Sequence, residues 1–113
     1  NNKKTILSKG SRNRTRGLIH VFDASEVIIR IALSKKKNQI YNISSHESSS
    51  VKEIINKISK ILNRKFYIKE KNGTLGDPLH NLANINKIQK VLRYKFKYNL
   101  NEGLVNTIKN IKV

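Results

Sequence analysis

The sequence predicts a mixed α/β (α+β) fold, a small lobe of about four helices with short strands. Three observations carry this. Apolar residues recur at helical spacing in four separate stretches. Short β-branched or aromatic runs lie before or between them, at 18–22, 40–43 and 65–69. The 113 residues make one domain's worth of chain, enough for a modest core.

Asn1 to Thr15 is polar and basic, with only Ile6 and Leu7 as apolar residues, and reads as a chain already in progress or a loose edge strand. Arg12, Arg14 and Arg16 alternate, so an extended backbone would project all three from one face, either as a solvated edge or as an anion clamp. Leu18 to Phe22 (LIHVF) has the apolar run of a buried strand, with His20 inside it as a satisfied core residue. Asp23, with Glu26 three residues on, marks the start of a first helix. Val27, Ile28, Ile31, Ala32 and Leu33 form its apolar face. It ends near Ser34 and the block Lys35–Lys36–Lys37, whose charge suits a helix C-terminus.

Gln39 to Leu62 is the stretch around which the chain is organised. Ile40, Tyr41 and Ile43 predict a strand, and Ser44 to Ser50 a polar loop. Ser50 and Glu53 have capping-box spacing. Val51, Ile54, Ile55, Ile58, Ile61 and Leu62 then line one face of a helix, expected to lie on the strand before it. Lys65 to Lys69 (KFYIK) alternates as a strand does. Lys71 to His80 is the main loop, with a turn at Asn72–Gly73 and the lone proline at Pro78. Asn84 is expected to cap a third helix carrying Ile85, Ile88, Val91 and Leu92. A fourth begins at Leu100 or Asn101 and carries Leu104, Val105, Ile108 and Ile111.

The formal charge is +17 and the isoelectric point near 10.4, which points either to an anionic partner or to lysines scattered over solvated faces. With no cysteine, disulfides and thiolate metal sites are excluded, and a reducing cytoplasm is the expected location. No apolar run is long enough for a membrane span, and no signal peptide is visible. Catalytic patterns are absent too. The five glycines do not cluster as a phosphate loop requires, and His20, His46 and His80 lack metal spacing. Tyr67 and Lys71 have the Tyr-x-x-x-Lys spacing of a dehydrogenase pair. That pair needs one helical turn, and here it falls on a strand end and a loop.

Six pieces in order carry a resemblance: Arg16-Gly-Leu-Ile-His-Val-Phe-Asp23, Ile40-Tyr-Asn-Ile-Ser44, Ser50-Val-Lys-Glu-Ile54, Gly76-Asp77, Leu82-Ala-Asn-Ile-Asn-Lys87, and Leu100-Asn-Glu-Gly-Leu104 with Thr107-Ile108. Together they resemble the C-terminal part of the NAD-dependent epimerase/dehydratase family, the extended short-chain dehydrogenases that act on nucleotide sugars. The resemblance implies that residues 1–113 are the C-terminal nucleotide-sugar-binding lobe. NAD and the catalytic Tyr and Lys would then belong to a Rossmann half outside this chain, in cis or in trans.

It also implies site residues. Arg16 would reach the diphosphate, where a planar guanidinium suits phosphate oxygens. Gly76 and Asp77 would face the nucleotide, and Asn81 stands where the family often has an aromatic. Three further departures are visible. The loop arginine is Thr74, the Asp after Arg16 is Gly17, and the Gly-x-Gly after the Tyr-Asn strand is Ser44-Ser45-His46. The implied partner is a nucleotide-diphosphate sugar, with no catalytic residue in this chain and no membrane. The charge supports a second class, a catalytically inactive basic structural or nucleic-acid-binding module derived from the same lobe. Aromatics are few, which gives a stacking platform for single-stranded nucleic acid little support.

Overall fold

Five strands and four helices form among the residues that the computed structural model describes, 4–36 and 38–111. In chain order they are β1 (Lys4–Lys9), β2 (Thr15–Gly17), α1 (Val21–Leu33), β3 (Ser48–Ser50), α2 (Val51–Ile61), β4 (Phe66–Lys71), β5 (His80–Asn81), α3 (Asn86–Leu92) and α4 (Leu100–Asn110). The mixed α/β lobe of four helices and short strands is therefore found. Asn1, Asn2, Lys3 and Lys37 of the predicted segments lie outside the described residues.

The chain divides into two compact units. One comprises Asn1–Arg16 and Ser48–Asn81, the other Gly17–Glu47 and Leu82–Val113.

In the first unit β1 pairs in parallel with β4, in a register that puts Ile6 opposite Ile68. A second sheet has the order β3-β2-β5, with β2 parallel to β5. The predicted amphipathic helix forms as α2. Ser50 is its N-cap, and the Ser50 hydroxyl accepts from the Glu53 N–H at 3.1 Å. Two further N–H groups of its first turn find carbonyls: Val51 donates to Arg14 at 3.0 Å and Lys52 to Arg12 at 2.9 Å. Ile55 is buried, with Ile54, Ile58 and Ile61 half-buried around it. The helix contacts β4, which follows it, and β3, which runs directly into it.

In the second unit Val27, Ile85, Ile88 and Tyr94 are the buried core, and Ile31, Tyr41, Ile43, Leu92 and Phe96 pack around them. The side chain of Asp23, 1% exposed, ties α1 to the segment between α3 and α4. It accepts from the Tyr94 hydroxyl at 2.5 Å and from the backbone N–H groups of Lys97 (2.9 Å) and Tyr98 (3.0 Å). Burial alone would raise its pKa. The Lys97 N–H, the Tyr94 hydroxyl and the Tyr98 N–H outweigh that and lower it. The same burial and the facing carboxylate push the Tyr94 hydroxyl up.

Four sequence expectations are corrected here. Residues 18–22 are not a strand: helix α1 already begins at Val21, and the extended segment is β2, just before. A five-residue apolar run has no period long enough to separate a strand from a helix start. The cap of α1 is His20, whose Nδ1 accepts from the Phe22 N–H at 3.2 Å, and Asp23 points inward from the first turn. His20 also stacks on Tyr98, with ring centroids 4.1 Å apart. Residues 40–43 form no strand either, having no ladder partner among the described residues. Ile40 is 87% exposed, while its carbonyl accepts from Lys87 Nζ at 2.9 Å. Finally, α3 starts after Ile85, with Asn84 Oδ1 bracing the Asn86 N–H at 2.9 Å from outside the helix. The fourth helix is capped more completely than expected, by a reciprocal capping box between Asn99 and Glu102, each bond 2.9 Å.

Candidate functional site

The first unit gathers the charged residues of the N-terminal segment around the loop before β5. At Ser11 the backbone turns, and the Arg14 N–H donates to the Ser11 carbonyl at 3.2 Å. Arg14 Nε donates to the same carbonyl at 3.1 Å, which braces the guanidinium. Two residues on, Arg16 lies on β2, where its Nη1 donates to the Thr15 carbonyl at 2.8 Å.

The loop supplies the anion. Thr74 to Asp77 closes a turn, with the Asp77 N–H on the Thr74 carbonyl at 3.1 Å. Gly76, third in that turn, has φ +83°, a conformation glycine adopts without strain. The turn presents the Asp77 carboxylate to both arginines: Oδ2 accepts from Arg14 Nη1, and Oδ1 accepts from Arg16 Nη2 at 2.5 Å. The hydrogen bond from Arg14 is the main reason the Asp77 carboxyl is held below its ordinary range, with the charges of Arg16 and Arg14 adding to it. All three side chains are partly covered, at 20, 30 and 28% exposure for Arg14, Arg16 and Asp77.

Arg12 is held apart from this pair. Glu70 accepts from its backbone N–H at 2.7 Å and from its Nε at 2.8 Å, and the first of these contacts is the main cause of a lowered Glu70 pKa. The β2–β5 ladder sets Thr15 opposite His80 and Arg16 opposite Asn81. The Thr15 hydroxyl lies 2.9 Å from His80 Nδ1.

Arg16, Gly76, Asp77 and Asn81 are thus brought together, although 60 residues of chain separate Arg16 from Gly76. The alternation of Arg12, Arg14 and Arg16 does not survive as one common face: Arg12 goes to Glu70, and the other two share Asp77. Arg14 was legible only as a member of that alternation. Its pairing with Asp77 depends on a loop more than sixty residues away, for which the sequence carries no local signal. His46 is hydrogen-bonded to Gln89 in the second unit, at 2.9 Å. No group of three metal-ligating side chains exists among the described residues.

No family model matches the sequence, and no curated protein matches it. Solved structures do match. UDP-glucuronic acid 4-epimerase from Bacillus cereus, in complex with UDP-glucuronic acid and NAD, aligns with a TM-score of 0.84 over 94% of this chain, at 24% identity. UDP-glucose 4-epimerase from Thermotoga maritima, with UDP-glucose, aligns at 0.83 over 95% of the chain and 21% identity. dTDP-glucose 4,6-dehydratase from Bacillus anthracis, in complex with NAD, aligns at 0.81 over 94% and 19% identity. The fold is that of part of an NAD-dependent epimerase/dehydratase. It covers 35, 34 and 34% of those three chains, about a third of each. The resemblance read from the sequence and the fold therefore agree.

The described residues do not fit the NAD that the Bacillus cereus and Bacillus anthracis proteins hold. A dinucleotide site needs glycines grouped between a strand and a helix N-terminus. Here Gly10 and Gly73 abut each other, Gly76 turns a loop, Gly17 ends β2 and Gly103 lies within α4 against His20. Tyr67 and Lys71 both lie on β4, where four residues span roughly 13 Å and not one helical turn.

Proposed function

We propose that the chain is the nucleotide-sugar-binding portion of an NAD-dependent epimerase or dehydratase. Arg16 and the Gly76–Asp77 turn clamp the nucleotide diphosphate, with Asn81 beside them. A separate Rossmann half, in cis or in trans, carries NAD and the catalytic Tyr and Lys. The observation that carries this reading is the meeting of Arg16 with Asp77, on the strand and the loop that the six sequence pieces single out. Gripping the substrate by a part remote from the reacting carbon would position the sugar against the cofactor.

The surface of α1 supports a companion. Val21, Phe22, Ile28, Ile29 and Leu33 are all exposed, Leu33 at 83%. At about 100° per residue, with Ser25 and Ala32 among them, they fill one continuous arc of roughly 140°. That arc lies opposite the buried Asp23 and Val27, and an apolar face of this width suits a packed partner.

Hydrogen exchange on the chain combined with a family Rossmann domain tests the reading. UDP- or dTDP-sugar is expected to protect amides around Arg16 and Asp77, and no protection there would refute it. The second reading, a basic nucleic-acid-binding module, has one observation in its favour. Lys52, Lys57 and Lys60 lie with Asn56 along an open groove on α2. RNA or DNA binding that weakens steeply between two salt concentrations, together with indifference to nucleotide sugar, would favour it.

A further inference from the structure

The cluster at Asp77 contains more cation than its own carboxylate can satisfy. Arg14 and Arg16 each spend one N–H on Asp77 and one on a backbone carbonyl: Arg14 on that of Ser11, Arg16 on that of Thr15. A guanidinium has five N–H donors, so each keeps about three uncommitted among the described residues. One carboxylate holds the two like charges side by side, and neither is more than 30% exposed. Water screens them less than it would on open surface, so their mutual repulsion favours uptake of a further anion. The Asp77 turn brings no basic residue of its own, since Thr74 and Leu75 precede Gly76. The second fork comes from Arg14, two residues before Arg16.

We propose that Arg14 is a second diphosphate-binding residue, acting with Arg16 as a pair of forks whose spacing Asp77 sets. A diphosphate has two adjacent anionic phosphoryl groups, one for each fork. A single phosphoryl group engages one fork and leaves the other unsatisfied, so the site prefers pyrophosphate to phosphate. Asp77 is a positioning residue: it repels the ligand slightly and holds both guanidiniums in place. This deepens the nucleotide-sugar reading and rests on it for the natural ligand. The diphosphate chemistry stands on the cluster itself.

The experiment is a calorimetric titration of the full chain with inorganic pyrophosphate, phosphate, UDP and uridine at low salt. Pyrophosphate and UDP are expected to bind more tightly than phosphate, and uridine not to register. Arg14→Gln and Arg16→Gln are each expected to weaken pyrophosphate and UDP by about tenfold or more. Arg14→Lys keeps the charge and loses the fork, and an intermediate loss is expected from it. It is the deciding variant if circular dichroism shows Arg14→Gln to be unfolded. Arg64→Gln removes an exposed charge elsewhere, and a change of less than about twofold is expected. Wild-type affinity in both Arg14 variants, with a loss in Arg16→Gln, would overturn the Arg14 assignment and leave the nucleotide-sugar reading intact. Arg14-dependent pyrophosphate binding without any binding of UDP or a UDP-sugar would support the assignment and refute that reading. An equal loss in Arg64→Gln would reduce the effect to net charge and overturn the proposal.

Discussion

At the residue scale, two side chains stand where the backbone or the core is most demanding. Arg93 closes α3 in the left-handed region, at φ 48° and ψ 33°. An L-residue there costs roughly 1–2 kcal/mol, and glycine is the usual occupant of such a helix end. Arg93→Gly is therefore expected to stabilise the protein by about 1 kcal/mol, raising Tm by roughly 4 °C in a thermal melt. Asp23 is the opposite case, a buried carboxylate with three donors aimed at it. Asp23→Ala leaves the Tyr94 hydroxyl and two backbone N–H groups without their acceptor, and is expected to cost about 3 kcal/mol in a denaturant titration. The folded pKa of Asp23 lies below its unfolded value. Its contribution is thus fully present above the unfolded pKa, near 4, and is lost as pH falls through the lowered folded value. Asp23→Asn should flatten that acid limb. An unchanged limb in the variant would show that another carboxylate sets it.

At the element scale, the end of β2 and the segment 41–45 fit by an exchange of size. A Cβ on Gly17 would lie 2.3 Å from Ser44 Oγ and 2.7 Å from Leu82 Cδ1. The resemblance read from the sequence implies an Asp where Gly17 stands and a glycine where Ser44 stands. In this chain the small residue has moved to one side of the contact and the hydroxyl to the other. Gly17→Ala is expected to destabilise by about 2 kcal/mol, and adding Ser44→Gly to recover part of that loss. Additive losses in the double variant, measured by chemical unfolding, would show that the two positions are not coupled. The helix caps are simpler elements. Asn99→Ala opens the capping box of α4 and should cost about 1 kcal/mol. The Ser50–Glu53 spacing made the cap of α2 legible in the sequence, whereas the expected start of α4 at Leu100 or Asn101 passes over Asn99, its actual cap. The cap of α1 was not legible, because a histidine performs it and Asp23, the obvious candidate, is drawn inward by donors that lie more than seventy residues further on.

At the scale of the whole molecule, a charge of +17 and the exposed apolar arc on α1 oppose each other. Repulsion keeps copies of the chain apart, while the arc favours association, so added salt should promote self-association. Leu33→Glu places a charge at the most exposed point of that arc. It is expected to leave Tm within about a degree, since little packing is lost. The same change should reduce salt-induced association in sedimentation and weaken capture of the proposed Rossmann companion. A large fall in Tm would instead show that Leu33 belongs to the fold of this chain.

The amino-acid order by itself determined the existence of the helices, the covered stripe of α2 and the strand now seen as β4, because each depends on neighbours within a few residues; it put Ile28, Ala32 and Leu33 on the apolar face of α1, where the structure leaves them exposed, and a turn at Asn72–Gly73, where the structure closes one at Thr74–Asp77. It also determined which kind of protein this fold resembles, since the six pieces keep their sequence order. Tertiary structure decided the rest. It placed the strand at 15–17 and not at 18–22, because β3 and β5 flank Thr15 and Arg16, with His80 and Asn81 returning in parallel beside them. It left residues 40–43 without a ladder, and it joined Arg14 to Asp77. Parallel pairing and ion pairing between residues about sixty apart are set by where the chain returns, and no local periodicity records that.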